Sequence, residues 1–548
     1  MPTSPEVGPS SQHARRCAAA VALVVFAAVA IAGLATRHDP PPAVSADRAL
    51  QIGARVPGFG DVVRTATAHQ VLAVDDRLVK VVWLRHGRIL AEVGVRDDGR
   101  TYLPVRNSHA RAGYGAPLSH LPVVLAGLSV LFLLATLRGP LRRRRTLDVL
   151  ALALLVVPAV LIDRGWLGAG EGVAAALLGY LAVRGVLLAV RGPARAGDDP
   201  GAPVLLERLA ARLGAPRLPQ QVAIALAGAS LLVILTSTGI VDVALANMEG
   251  ATLLLHGTLP YGHMPGDVIH GDTYGLPIYA IYAPLAALWP MASDWDEATG
   301  ALVVGAVAVV AALLGARRAA GAGAGAPWPA IIATLAFPAA LMSTSSGTND
   351  VLIAVAVIWA FAWFARPAAS SALLMLAGMA KVAPLILLPL WLARLRGAAL
   401  LRAMAACAAV GGAVLVALVA LGGLHGPLDM VDAMSFQLSR RSPMSIWTSL
   451  GLQPLQPLAQ AAAAALALGA ATLVLLDRSV AADPQRVAGL VCATLAVLQL
   501  AANHWMPLYL LWLAPPAMAA LLGPLGARAA TAAVLAPSPA ATPRFASA

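Results

Sequence analysis

The sequence predicts an all-α polytopic membrane protein, with one small β-rich domain near the N-terminus. Three observations carry this expectation. Of the 548 residues, 59% are hydrophobic and 12% charged, and the mean hydropathy is +0.76, a balance far from that of soluble domains. The apolar residues fall in runs long enough to span a bilayer, which takes about 20 helical residues. Arginine clusters separate those runs, as expected of cytoplasmic anchors under the positive-inside rule. Together the runs imply about 13–14 transmembrane helices, multi-pass in the plasma (inner) membrane, with the N-terminus cytoplasmic.

The net charge of +12 is carried by arginine, since Lys80 and Lys381 are the two lysines of the chain. Because the arginines lie between apolar runs, topology accounts for them and no nucleic acid is expected as a partner; the lipid bilayer is. Cys17, Cys407 and Cys492 lie in or beside apolar runs without a metal-binding or redox spacing. Neither a disulfide framework nor a zinc site follows.

Residues 1–36 read as a polar start ending in Arg15-Arg16, followed by a retained membrane anchor. Residues 37–117 are the soluble-looking part. From His69 to Val105 apolar and polar residues alternate, with Asp75-Asp76, His86-Gly87 and Asp97-Asp98-Gly99 at the breaks, which predicts antiparallel hairpins. The acids and bases there show no catalytic spacing, so the domain reads as an extracytoplasmic scaffold or partner-binding module. Residues 118–221 add three spans and an arginine-rich linker. In that linker LLERLAARLGA (205–215) reads as an amphipathic helix on the membrane surface, and Arg184 near the inner end of its span is placed to snorkel.

Residues 222–523 form the main membrane unit. A span at about 222–240 delivers Asp242 to the outer side. The run 276–291 is interrupted by Pro277, Pro284 and Pro290. It must stay on the outer side if Arg317-Arg318 is to be cytoplasmic, which makes 241–297 one outer loop. Spans 328–345 and 350–365 meet at Asn349-Asp350. Segment 370–394 is flanked by Arg366, Arg394 and Arg396 yet holds apolar residues for one crossing, with Lys381 in its middle and Pro384 after it. A helix, a break and a second helix, with Lys381 at the outer tip, satisfy both facts.

A second outer loop, 424–456, holds Arg440-Arg441, an arginine pair that topology places outside. Guanidinium pairs present planar forks to phosphate, and anionic lipid headgroups would suit the same pair. The last spans enclose an outer turn, Asn503-His504-Trp505, and 524–548 reads as a disordered cytoplasmic tail.

Asp242 and Glu249 are seven residues apart, which places both on one face of a helix. Asp242 also suits an N-cap, as does Asp350, and capping does not exclude catalysis. His256, His263 and His270 recur every seven residues, but Pro260 and Pro265 break any continuous helix there. With Asp267 and Asp272 nearby a divalent metal stays open, although no metal or other cofactor is expected. No glycine-rich nucleotide motif follows a strand, so a nucleotide-sugar donor is not expected.

Taken together, LLLHGTLPYG (253–262), YAIYAPL (279–285), GTNDVLIA (347–354), AGMAKVAPLILLPL (377–390) and HWMPLYLLWLAP (504–515) give residues 222–523 a resemblance to the GT-C membrane glycosyltransferases. They are most similar to glycosyltransferase family 87, the polyprenol-phosphate-mannose-dependent alpha-mannosyltransferases. Ala283 and Thr348 depart from that family's motifs, and no second acid adjoins Asp242. The resemblance implies a GT-C-like fold with an extracytoplasmic active site. It implies inverting transfer of a sugar from a polyprenyl-phosphate donor to a glycan or glycolipid acceptor, with Asp242 as general base. On the same grounds Lys381, Arg440 and Arg441 would hold the donor phosphate. Glu249, Tyr261, Asp272, Tyr279, Tyr282, Asn349, Asp350, His504 and Trp505 would line the substrate site. Two alternatives remain at this stage: a lipid-linked glycan flippase or secondary transporter, and a non-catalytic envelope scaffold.

Overall fold

The computed structural model describes residues 9–35, 44–74, 78–86, 88–106, 122–138, 144–192, 203–265, 268, 270–289, 294–320, 327–440 and 442–522. The expected tail 524–548 and Arg441 lie outside the described residues.

The chain is mostly helical. Among the described residues, eight helices are long and apolar enough to cross a membrane, or nine if the bent pair Trp328–Ala336 and Pro338–Ser345 counts as one span. The expected number of about 13–14 would need most of the six shorter apolar helices, of 10–17 residues, to cross as well. Several runs taken as full spans are shorter apolar helices, among them Pro122–Thr136, Asp350–Ala362 and Pro507–Leu521. The last two are largely buried, so their ends meet protein and need not reach the bilayer surface. At Phe337 the chain turns by 59°, because Pro338 cannot donate the hydrogen bond that would continue the first helix.

Leu276–Leu288 is a short helix packed on Asp242–Leu255. The second outer loop is less open than expected. Helix Gly397–Gly422 is followed, after a short 3-10 turn, by helix Gly426–Ser439, and Gly397–Gln437 forms one long apolar segment.

Close helix contact relies on small residues. Leu167–Arg191 packs along Pro484–Ala501, and a Cβ on Gly185 would sit 2.3 Å from the Gly489 carbonyl oxygen, so glycine sets how near these backbones come. Arg184 does not snorkel. Its Nε and a terminal nitrogen donate to Asp148 Oδ1 and Oδ2 at 2.6 and 2.7 Å, and Tyr180 adds a third hydrogen bond to Asp148 at 2.7 Å. A nearby carboxylate inside the bundle satisfies the charge better than the bilayer surface does.

The N-terminal domain contains two helices that the hairpin reading missed, Ala46–Ala54 and Gly60–Thr65. They precede an antiparallel sheet of strands β1 Ala68–Ala73, β2 Leu78–Arg85, β3 Arg88–Arg96 and β4 Thr101–Arg106, in the order β1-β2-β3-β4. One face packs Val79, Val81, Trp83, Ala91, Val93 and Val95 with Ala49 and Phe59. On the other face Val82 joins the core of the helical bundle, as does Ile89 at the start of β3. Ile89 N–H donates to Gly165 O at 3.0 Å and Arg88 Nε to Arg164 O at 2.8 Å. The sheet is therefore covered on both sides, whereas alternation in sequence predicts one solvated face.

Candidate functional site at one end of the helical bundle

The site is built where helices start or break. After Pro367–Ala380 the backbone becomes extended at Lys381, and the chain returns through the 3-10 turn Ala383–Leu387 and helix Leu388–Ala393. This is the expected helix, break and helix. Pro384 fixes the break by withholding an amide donor. Gly275 brings a second segment onto it. Gly275 N–H donates to Ala380 O at 2.9 Å, and a Cβ at position 275 would lie 1.6 Å from the Met379 carbonyl oxygen. Only glycine fits against that backbone.

Lys381 is buried, and its Nζ donates to Asp350 Oδ1 at 2.6 Å. Trp512 Nε1 donates to the same oxygen at 2.8 Å. The ammonium also faces the rings of Tyr274, Tyr509 and Trp512, with Nζ to centroid distances of 5.2, 5.5 and 5.1 Å, within cation–π range. Tyr509 and Trp512 stack at 4.8 Å. Asp350 is thus no helix cap: Asn349 occupies the N-cap position and the Asp350 carboxylate holds the lysine. The ammonium expected to hold a phosphate is paired here with a carboxylate.

Beside this pair, Asn349 Nδ2 donates to Asn247 Oδ1 at 2.9 Å, and the buried Tyr282 stands near the Asn247 side chain. Asn247 Nδ2 and Asn349 Oδ1 stay buried without a partner. Such atoms cost free energy unless a polar group meets them.

Asp242 is exposed and is the first residue of its helix, with Val241 at the N-cap position. It does not cap: Oδ1 accepts from the adjacent Val243 N–H at 2.9 Å. Asp242 lies within electrostatic range of Tyr274 and Tyr509, the same rings that cover Lys381. Arg440 follows Gly426–Ser439, hydrogen-bonds Tyr509 and stands 5.8 Å from the Phe436 ring centroid. Its Nε is buried with no partner. Asp242, Asp350, Lys381 and Arg440 therefore surround one pair of tyrosines.

His504 borders the group. Its Nδ1 pairs with Ser442 Oγ at 2.7 Å, and its ring meets Tyr509 edge-on at 6.2 Å. Part of the residue reaches the surface, yet the ring is enclosed enough that burial first, and the Arg440 charge second, hold the imidazole well below its ordinary pKa. His504 is thus neutral near pH 7.

Other expected residues brace the site and do not line it. Tyr279 is fully buried and donates to Gly271 O at 2.6 Å. Tyr261 packs edge-on against it at 6.4 Å, and Trp505 is buried with Nε1 donating to Gln499 at 3.1 Å. Their rings are enclosed by the fold, which corrects the expectation that they line the substrate site. Asp272 accepts from Gly262 N–H at 3.0 Å, and burial raises its pKa above the usual carboxylate value. Glu249 lies further along its helix, half-buried, and no hydrogen bond or ion pair joins it to the cluster.

The three spaced histidines do not converge. His256 bonds Thr252 O, His263 bonds Tyr261 O, and His270 stacks on Phe436. Asp267 lies outside the described residues. Among the described residues no group of three metal-binding side chains is close enough to share an ion.

Sequence reasoning missed Tyr274, Tyr509, Trp512 and Asn247. The three-residue spacing of Tyr509 and Trp512, which puts them on one helical face, was the available signal. Comparison with protein-family models, with curated proteins and with solved structures gives no match, so the functional reading rests on the site itself.

Proposed function

We propose that the chain is a membrane glycosyltransferase. It moves a sugar from a polyprenyl-phosphate donor to an envelope glycan or glycolipid, on the extracytoplasmic side of the plasma membrane. The observation that carries this reading is the gathering of an accessible carboxylate, Asp242, and a guanidinium with an unpartnered buried nitrogen, Arg440, around Tyr274 and Tyr509. Asp242 is the general base. It takes the proton of the acceptor hydroxyl as that oxygen attacks the anomeric carbon. Arg440 takes up the charge that develops on the departing phosphate. Lys381, paired with Asp350, holds Tyr274 and Tyr509 in place around the two groups. Attack from the side opposite the phosphate inverts the linkage.

The test is transfer from polyprenyl-phosphate mannose by the full-length protein in liposomes. Asp242→Asn is expected to lower the rate by roughly 10²–10⁴-fold, the usual contribution of a general base, with little change in donor affinity. Unaltered transfer by Asp242→Asn would remove the base from the mechanism.

A further inference from the structure

The N-terminal sheet has a polar pair where it faces the bundle. Lys80 of β2 donates to Glu92 Oε1 of β3 at 3.0 Å. Glu92 is 3% exposed, and its other oxygen, Oε2, is buried without a hydrogen-bond partner. Register fixes the face. Glu92 pairs with Val82, whose side chain packs into the bundle core, while Val79, Val81 and Trp83 point the opposite way into the small domain's own core. Lys80 alternates with those residues and so shares the Val82 face. The face is fastened down by Ile89 N–H on Gly165 O and Arg88 Nε on Arg164 O. Across the junction, Lys80 lies within electrostatic range of His504, which borders the Tyr509 and Arg440 cluster.

We propose that Lys80 and Glu92 form a second wall of the site and bind a neutral, hydroxyl-rich ligand, a saccharide. The pair carries no net charge, and the Glu92 carboxylate would repel a phosphate, so the anionic end of a substrate belongs at Arg440 instead. Lys80 keeps ammonium donors beyond the one given to Glu92, and Oε2 offers an acceptor. Alternating donors and acceptors match sugar hydroxyls, which do both. The domain is then part of the site and not a separable module. This inference rests on the reading of the site as one that handles sugars, but its test requires no transfer.

Lys80 and Lys381 are the chain's two lysines, so acetylation by an amine-selective reagent, read by mass spectrometry on the full chain in nanodiscs, reports both at once. Methyl glycosides of mannose, glucose, galactose and arabinose serve as probes, with glycerol as control. At least one glycoside is expected to slow Lys80 acetylation fivefold or more, while glycerol at equal hydroxyl concentration does not and buried Lys381 stays unreactive. Glu92→Gln is expected to lose the protection, and Asp242→Asn to keep it. Should Glu92→Gln loosen the fold, newly reactive Lys381 would reveal it. Glu92→Asp, which retains the charge but withdraws the oxygen, is then expected to lose protection with Lys381 still unreactive. No protection by any glycoside, equal protection by glycerol, or full protection in the variants would overturn the proposal. Protection that survives alongside unaltered transfer by Asp242→Asn would leave this proposal standing and remove the catalytic one.

Discussion

Asp350 meets two donors on one oxygen, Lys381 Nζ and Trp512 Nε1, and this makes the lysine a fixed part of the site. An ammonium in the interior of a helical bundle is costly unless paired. Here it is paired with a carboxylate and surrounded by three aromatic rings. Removing one partner strands the other charge, a loss of about 3–5 kcal/mol for a buried pair. Replacing both by apolar groups strands nothing. Lys381→Met and Asp350→Asn are each expected to lower the unfolding midpoint of the detergent-solubilised protein markedly, whereas Lys381→Met with Asp350→Leu recovers most of the loss. Transfer activity should stay low in all three, because the Lys381–Asp350 pair that Tyr274, Tyr509 and Trp512 pack around is gone. If the double variant is no more stable than either single one, the two residues do not act as a pair.

At the scale of elements, the site depends on loop 256–275 reaching the helix break at Lys381. Gly275 has extended backbone angles, φ −74° and ψ 155°, which any residue adopts, so the requirement is for space. A methyl group 1.6 Å from the Met379 carbonyl oxygen cannot be placed without moving the loop, and Tyr274 would move with it. Gly275→Ala is therefore expected to abolish the Gly275 N–H bond to Ala380 O. Amide exchange in a peptide covering 270–280 should rise tenfold or more, with no change in Leu167–Arg191. Unchanged exchange would show that the loop is held by other contacts. The break itself was legible in sequence, because the flanking arginines and a central lysine before proline admit few other paths. The role of Asp350 was not. An acid at a helix start fits a cap on local grounds, and its partners lie 31 and 162 residues away. The second buried face of the sheet escaped for the same reason, since alternation cannot show that Val82 and Glu92 will be buried where the sheet meets the helical bundle.

For the whole molecule, the reading requires that the groups around Tyr274 and Tyr509 share one side of the membrane. Chain direction supports this. The connections at 164–166, 236–241, 346–349, 440–455 and 502–506 either border the cluster or contact its neighbours. The arginine-bearing connections near 192, 366, 394–396 and 478 lie at the opposite ends of the same helices. On the proposed reading, the positive-inside rule assigns those ends to the cytoplasm. After replacement of Cys17, Cys407 and Cys492 by alanine, single cysteines at four exposed positions divide the two sides: Asp98 and Thr238 against Ala365 and Ala482. A membrane-impermeant maleimide added to intact cells is expected to label Asp98→Cys and Thr238→Cys, and to label Ala365→Cys and Ala482→Cys only after the membrane is opened. Labelling of all four from outside would deny the arginine-bearing ends a cytoplasmic position, and a split between Asp98 and Thr238 would place the sheet and Asp242 on different sides. No single site could then include both.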